Sequence, residues 1–226
     1  MELTKKQKII AAVVFFSLLA AVGIGGNIIK ARKLEKAHTY PTAEEMQNLE
    51  RITEFALDEL KAWADEKGYY ASGVPGSPAV PAVSQNAGKA IGIYKEKETK
   101  EANKYDTIFN VSFRARGGMT VGLSRKTNDL EGALEEIRGL LGQIAEVNNL
   151  FDKTKISQAQ LQEFLDESAD NMQEQLRETG NYDKTSGEEG GAELQICDYN
   201  VLPGGTDREY RYQIYFRCLG EYNLEE

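Results

Sequence analysis

The chain carries one histidine, His38, and two cysteines, Cys197 and Cys218, among 226 residues. That scarcity argues against a Cys/His zinc centre, which needs four ligands, and leaves no nucleophile–histidine pair away from the N-terminal region. No glycine-rich phosphate loop follows a strand pattern. Positive charge is also in deficit: 27 Lys and Arg stand against 36 Asp and Glu, and a net charge of -9 is the wrong sign for a nucleic-acid surface. Paired carboxylates alone can do acid–base work, but Glu135-Glu136, Glu188-Glu189 and Glu225-Glu226 are adjacent in sequence, and adjacent residues on a helix do not face each other. The composition therefore points away from an enzyme and calls for no metal, cofactor or nucleic acid.

Charge of either sign is missing altogether from Ile9 to Ile29, where Ser17 and Asn27 are the only polar side chains. At about 1.5 Å per residue this run reaches roughly 30 Å, the hydrocarbon thickness of a bilayer, and it reads as a single transmembrane anchor behind a short tail, residues 1–8. A cleaved signal peptide would have a shorter apolar core; Ala21-Val22-Gly23 offers a cleavage site, but the run continues through Ile24, Ile28 and Ile29. A type IV pilin spine needs a leader ending in glycine and a glutamate early in the apolar run, and Lys8 to Val13 has neither, so a divergent pilin-like subunit is a minor alternative. Gly23, Gly25 and Gly26 lie inside the run and suit close helix packing. Lys5, Lys6 and Lys8 before the run nearly balance Lys30, Arg32, Lys33 and Lys36 after it, so flanking charge does not set the orientation. With a short tail and a large following body, a signal-anchor puts the N-terminus in the cytoplasm and the soluble domain outside it, in a periplasm.

Residues 30–71 read as a juxtamembrane segment and an amphipathic helical stalk. Pro41 breaks any continuation of the membrane helix, Thr42 and Glu45 have capping-box spacing, and Gly68 marks the end. Between them Met46, Leu49, Ile52, Ala56, Leu60 and Trp63 recur at three- and four-residue steps. This stripe needs a partner: the chain's own sheet, or a matching helix of another subunit in a short coiled coil. Residues 72–104 follow as a linker and charged segment. Ser72 to Ser84 holds Pro75, Pro78 and Pro81, an extended spacer; Ala90 to Tyr94 suits a short strand, and Lys95 to Lys104 a solvated charged helix or loop.

Residues 105–226 read as an α+β domain. Tyr105, Thr107, Phe109, Val111 and Phe113 alternate with mostly polar residues, and Met119, Val121 and Leu123 alternate again after Gly117-Gly118. A three-residue loop, Arg116 to Gly118, keeps one face apolar by pairing Phe113 with Val121 and Val111 with Leu123. Asn128 with Glu131 caps a helix striped by Leu130, Leu134, Ile137, Leu141, Ile144 and Val147, widened by Ala133 and Leu140. Ser157 with Gln160 starts a surface helix to Thr179, with a thin stripe of Leu161, Phe164, Leu165, Met172 and Leu176. Asn181 to Gly191 reads as a loop; Asn181, Asp183 and Thr185 have the first spacings of a calcium loop, but its glycine is late and its closing acid is missing. A second hairpin joins Glu193–Val201 to Glu209–Leu219. Pairing Val201 with Tyr210 sets Cys197 opposite Ile214, with Cys218 four residues further, roughly 13 Å along the strand and too far for a disulfide.

In order, the body is helix, hairpin, helix pair, hairpin: an αββ unit twice, giving a four-stranded antiparallel sheet with helices on one face, ferredoxin-like with permuted strand order. Together with the short tail, single anchor and amphipathic helix, this element order resembles the PilO and GspM proteins of type IV pilus and type II secretion machines. The likeness is one of element order, without a shared motif. It implies an inner-membrane scaffold with a periplasmic domain, without enzyme activity, pairing with itself or with other membrane-anchored proteins. Met46, Leu49, Ile52, Ala56, Leu60 and Trp63 are the candidate partner interface. The alternative is a membrane-tethered ligand-binding or sensor domain that uses the Pro-rich loop or the tyrosines Tyr199, Tyr210, Tyr212 and Tyr215.

Overall fold

A computed structural model describes residues 41–73, 88–152, 154–186, 191–198 and 211–222. Its first element, α1 (Ala43–Lys67), begins with the expected capping box: the Glu45 N–H donates to Thr42 Oγ1 at 3.1 Å, and the Thr42 N–H donates to Glu45 Oε2 at 2.7 Å. Gly68, at φ 74, ends the helix in the left-handed conformation that glycine adopts at least cost. The elements that follow are β1 (Tyr70–Gly73), β2 (Gly88–Tyr94), the short α2 (Lys97–Ala102), β3 (Phe109–Arg114), β4 (Met119–Thr127), α3 (Leu130–Phe151), α4 (Gln158–Thr179), β5 (Asn181–Thr185), β6 (Ala192–Asp198) and β7 (Tyr212–Gly220). Among the described residues no helix is long and apolar enough to cross a membrane. The run Ile9–Ile29, its flanks, His38, residues 74–87 of the linker, Tyr199 and Tyr210 lie outside them.

The fold class is α+β, with one antiparallel sheet of seven strands in the order β1-β2-β3-β4-β7-β6-β5. Four strands were expected. The additional ones come from segments with weak patterns: β1 is four residues long, β2 follows the Pro-rich stretch, and β5 occupies part of what reads as a loop. Tyr182 and Lys184 on β5 alternate with Asn181, Asp183 and Thr185, so a half-buried edge strand looks polar throughout. Because β1 and β2 join the sheet and α1 packs on β1, β2 and β3, the folded body reaches back to the helix read as a stalk.

Both hairpin registers differ from expectation. Phe113 pairs with Met119 and Val111 with Val121, a shift of two residues that keeps every side chain on its expected face. The loop is Ala115 to Gly117, closed by hydrogen bonds between Arg114 and Gly118 (3.1 Å) and between Gly117 and Arg114 (3.1 Å), with Gly117 and Gly118 both at positive φ. In the second hairpin Ile196, rather than Cys197, lies opposite Ile214. That single-residue shift puts Ala192, Leu194 and Ile196 in the core and turns Cys197 to the other face, away from buried Cys218. Both thiols are free. The α3 cap also moves by one residue: Asp129, not Asn128, accepts the Gly132 N–H at 2.9 Å.

The three long helices among the described residues lie on one face, α1 over β1 to β3, α3 over β4 and β7, and α4 over β5 and β6. Beneath them a row of buried side chains crosses the sheet from Ile91 through Val111, Val121 and Cys218 to Ala192. Leu60, Phe109, Phe113, Ile137, Leu141, Ile144 and Phe216 fill the layer between. Each such aliphatic or aromatic side chain contributes about 1.5–3 kcal/mol relative to exposure. Helix α4 is a full partner in this core, through Leu161, Phe164, Leu165 and Met172, rather than a surface addition.

The sheet order exposes an internal duplication. The meander β2-β3-β4 and the meander β5-β6-β7 meet at their last strands, β4 beside β7 and antiparallel, so a two-fold axis normal to the sheet relates them. A continuous row of paired residues crosses the seam: Gly92, Asn110 and Gly122 in one half, then Arg217, Glu193 and Thr185 in the other. Helix α1 precedes one meander and α4 the other. Among the described residues strand β1 extends the first half only, and α3 spans the seam.

Candidate functional surfaces

The α1 stripe faces inward. Leu49, Ile52, Ala56, Leu60 and Trp63 are buried against the chain's own sheet and Met46 is half-buried beside them. Leu60 has no exposed surface. Trp63 packs edge-on against Phe109 and stacks on Tyr69, and its indole N–H donates to Glu146 Oε2 at 3.2 Å. What α1 presents outward is acidic, with Phe55 half-exposed among Glu54, Asp58 and Glu59.

Glu146 ties α1 to α3. Its carboxylate also takes the Lys67 ammonium at 2.9 Å, and the Lys67 hydrogen bond and the Trp63 N–H hold it below the usual carboxylate range against the opposing effect of burial. Next to this bridge a shallow cleft is lined by Lys67, Tyr69, Gly139, Gly142 and Glu146. Further along α3 an open cleft of about 770 Å³ lies between the α2 segment and α3, with Lys95, Tyr105, Asp106, Arg125 and Glu136 around it. Arg125 is committed there: Nε and Nη2 donate to Glu136 Oε1 at 3.0 and 2.8 Å, and Nη2 reaches the Ile108 carbonyl at 2.8 Å. Glu135 instead pairs with Arg138, so the adjacent carboxylates Glu135 and Glu136 serve separate ion pairs.

A buried polar cluster sits where α3 ends against β7. Asn148 and Asp152, four residues apart, are both buried. Asp152 accepts the Thr154 N–H at 3.0 Å and, at 3.4 Å, the Asn148 amide, while Asn148 Oδ1 has no hydrogen-bond partner among the described residues. Gly220 makes room for them, since a Cβ there would fall 2.0 Å from Asp152 Oδ2 and 3.3 Å from Asn148 Oδ1. The Cys218 thiol is pushed up to about 12, first by burial and then by the Asp152 charge, so it stays neutral and unreactive. The periodicity of α3 gives no hint of this cluster, because Asn148 and Asp152 fall on its apolar side.

The other sheet face carries a polar network over β5, β6 and β7. Arg217 Nη2 donates to Gln195 Oε1 at 2.9 Å, Arg217 Nε lies 3.3 Å from Glu193, and the guanidinium sits over the Tyr215 ring at 5.6 Å. Gln195 donates in turn to Glu193 at 2.7 Å. Tyr212 is half-buried on the helix side under Arg211. Asn181, Asp183 and Thr185 lie on an extended strand instead of a curled calcium loop.

Comparison with known proteins gives no family model, no curated protein and no solved structure that matches this chain.

Proposed function

We propose that the protein is a membrane-anchored assembly scaffold that contributes to a multiprotein envelope complex, such as a pilus or secretion machine, through protein–protein contacts. One observation carries the reading: the uncharged run Ile9–Ile29 is followed by a body whose three long helices among the described residues all lie on one face of a seven-stranded sheet. The run ties the body to a bilayer, with the N-terminus in the cytoplasm and the body in the periplasm. The duplicated meanders support the PilO and GspM likeness at the level of a repeated α-plus-hairpin unit. In this reading β3-β4 and β6-β7 are the ferredoxin-like hairpins, and β1, β2, β5 and the added helix are elaborations. Since the α1 stripe is filled by the chain's own sheet, the partner surfaces lie elsewhere than Met46, Leu49, Ile52, Ala56, Leu60 and Trp63. Affinity purification of the tagged full-length protein from gently solubilised native membranes, followed by mass spectrometry, tests the proposal. Other single-span envelope proteins should come with it, and recovery of the protein alone would overturn it.

The second reading, a tethered ligand-binding or sensor domain, draws on the cleft between the α2 segment and α3. It predicts that a small polar ligand raises the thermal midpoint, and that Tyr105→Ala removes the shift. A midpoint unmoved by any member of a broad ligand panel counts against it.

A further inference from the structure

We infer that the free edge of β5 is a strand-addition site, which takes an extended segment of a partner protein with Lys or Arg at alternate positions. The inference deepens the assembly reading and rests on it for the origin of the strand.

The backbone defines the edge. Ser186 donates to Ala192 at 2.9 Å and Asp198 donates to Gly180 at 2.7 Å, so the even-numbered residues from Gly180 to Ser186 face β6. The N–H and C=O groups of Asn181, Asp183 and Thr185 therefore point away from the sheet. Those of Asn181 meet one hydroxyl: Thr179 Oγ1 accepts its N–H at 3.2 Å and lies 2.8 Å from its carbonyl, which shares the hydroxyl proton with the Gln175 carbonyl at 2.9 Å. Asp183 and Thr185, both exposed, make no further backbone hydrogen bond among the described residues, which leaves two donors and two acceptors in strand geometry.

The other half of the molecule shows what such an edge accepts. By strand order β5 takes the place in its half that β2 takes in the other; Thr185 shares a cross-sheet row with Gly92 of β2, and Gly92 lies opposite Ser72 of β1. The equivalent edge is thus occupied, by a short antiparallel strand that pairs over four residues. The second half has no such strand of its own among the described residues.

Charge selects the occupant. A second copy is disfavoured, since registers centred on the strand oppose Asp183 to Asp183 or Lys184 to Lys184 of that copy, and like charges directly opposite destabilise a pair. On the face that Asp183 shares, Glu193 lies one strand in, opposite Thr185 and already ion-paired with Arg217, so the exposed carboxylate that an added strand meets is that of Asp183. Residues opposite Asp183 and Thr185 in an added strand share that face, so cations belong there. Their own N–H and C=O groups are the ones that bond to β5.

The test uses the full-length protein in detergent and a fluorescein-labelled acetyl-(Lys-Val)4-amide peptide read by anisotropy. N-methylation of the lysines removes the donors that face β5, whereas N-methylation of the valines removes only those facing away. The expected result is at least a tenfold loss for the lysine-methylated peptide and little change for the valine-methylated one. Thr185→Pro, which removes an outward N–H and no ladder bond, should weaken the parent peptide at least tenfold. Absence of binding at millimolar peptide, or equal effects of the two methylations, overturns the proposal. The methylated pair decides the matter if Thr185→Pro proves unstable. Loss of peptide binding with retained membrane partners would remove this site and keep the assembly reading; peptide binding by a protein that purifies alone would do the reverse.

Discussion

At the scale of single residues, backbone proximity and burial decide more than side-chain chemistry. Gly122 sits at the β4–β7 seam, where a Cβ would come within 2.0 Å of the Phe216 carbonyl oxygen and 2.7 Å of Arg217 Cα. Neither atom can move without parting the two halves. Gly122→Ala should therefore cost about 2–4 kcal/mol, read as a lower urea midpoint, whereas Gly139→Ala on open helix surface should be neutral or slightly stabilising. Equal midpoints for the two variants would show that the seam is looser than its geometry. Cys218 makes a second prediction, with a definite sign. Its folded-state pKa, about 12, lies above the unfolded value near 9, so its contribution is fully present below pH 9 and is lost as pH rises from there toward 12. Tyr94 and Tyr222, also raised by burial, act in the same direction. Stability measured from pH 8 to 11 should fall less steeply in Cys218→Ala than in the parent, and parallel curves would contradict the assignment. At neutral pH a thiol reagent should label half-buried Cys197 well before Cys218.

At the scale of elements, the sequence is most informative where a local rule acts alone. The Thr42–Glu45 and Ser157–Gln160 capping boxes, the glycine end of α1 and the α3 stripe can all be read directly, because each depends on residues within one or two turns. Strands β1 and β5 cannot, because an edge strand of four or five residues gets its order from its neighbour rather than from its own pattern. The single-residue error at Cys197 has the same origin: Cys197-Asp198-Tyr199 and Ala192-Glu193-Leu194 both alternate, and only pairing with β7 chooses between them. The stripe on α1 was legible as apolar, but sequence could not say whose surface it meets. Because the stripe is buried, a charge inserted there tests folding rather than partner binding. Leu60→Asp should cost about 4 kcal/mol or more and unfold the body, not merely release a partner. Thr42→Ala, at the same helix's exposed start, should cost only about 1 kcal/mol. A folded Leu60→Asp protein with native-like near-UV circular dichroism would mean that α1 can leave the sheet.

At the scale of the whole molecule, the duplication explains why one helix stands apart. Helices α1 and α4 each cover their own meander, and α3 lies over β4 and β7, where α4 also meets β7 through Phe164 against Phe216, ring centroids 6.5 Å apart. Helix α3 joins one half through Glu146 to Lys67 and Trp63, and the other through packing on α4 and the Arg138–Asp166 ion pair at 3.1 Å. No stretch of sequence announces this role, since it follows from the meeting of two units far apart in the chain. Half-independent meanders would open separately at the seam; a seam sealed by α3 would be the last part to open. The β4–β7 ladder pairs nine residues from each strand beneath α3, whereas β1 and β5 each have one neighbour only. Native-state hydrogen exchange should therefore find the slowest amides along Val121–Leu123 and Phe216–Cys218, at the free energy of global unfolding, and the fastest strand amides at Asp183 and Thr185. Substituting Glu146 by Gln should lower protection along α1 before it affects the seam. If the seam amides instead exchanged faster than those of β3 and β6, the two meanders would be separate folding units held by α3 alone.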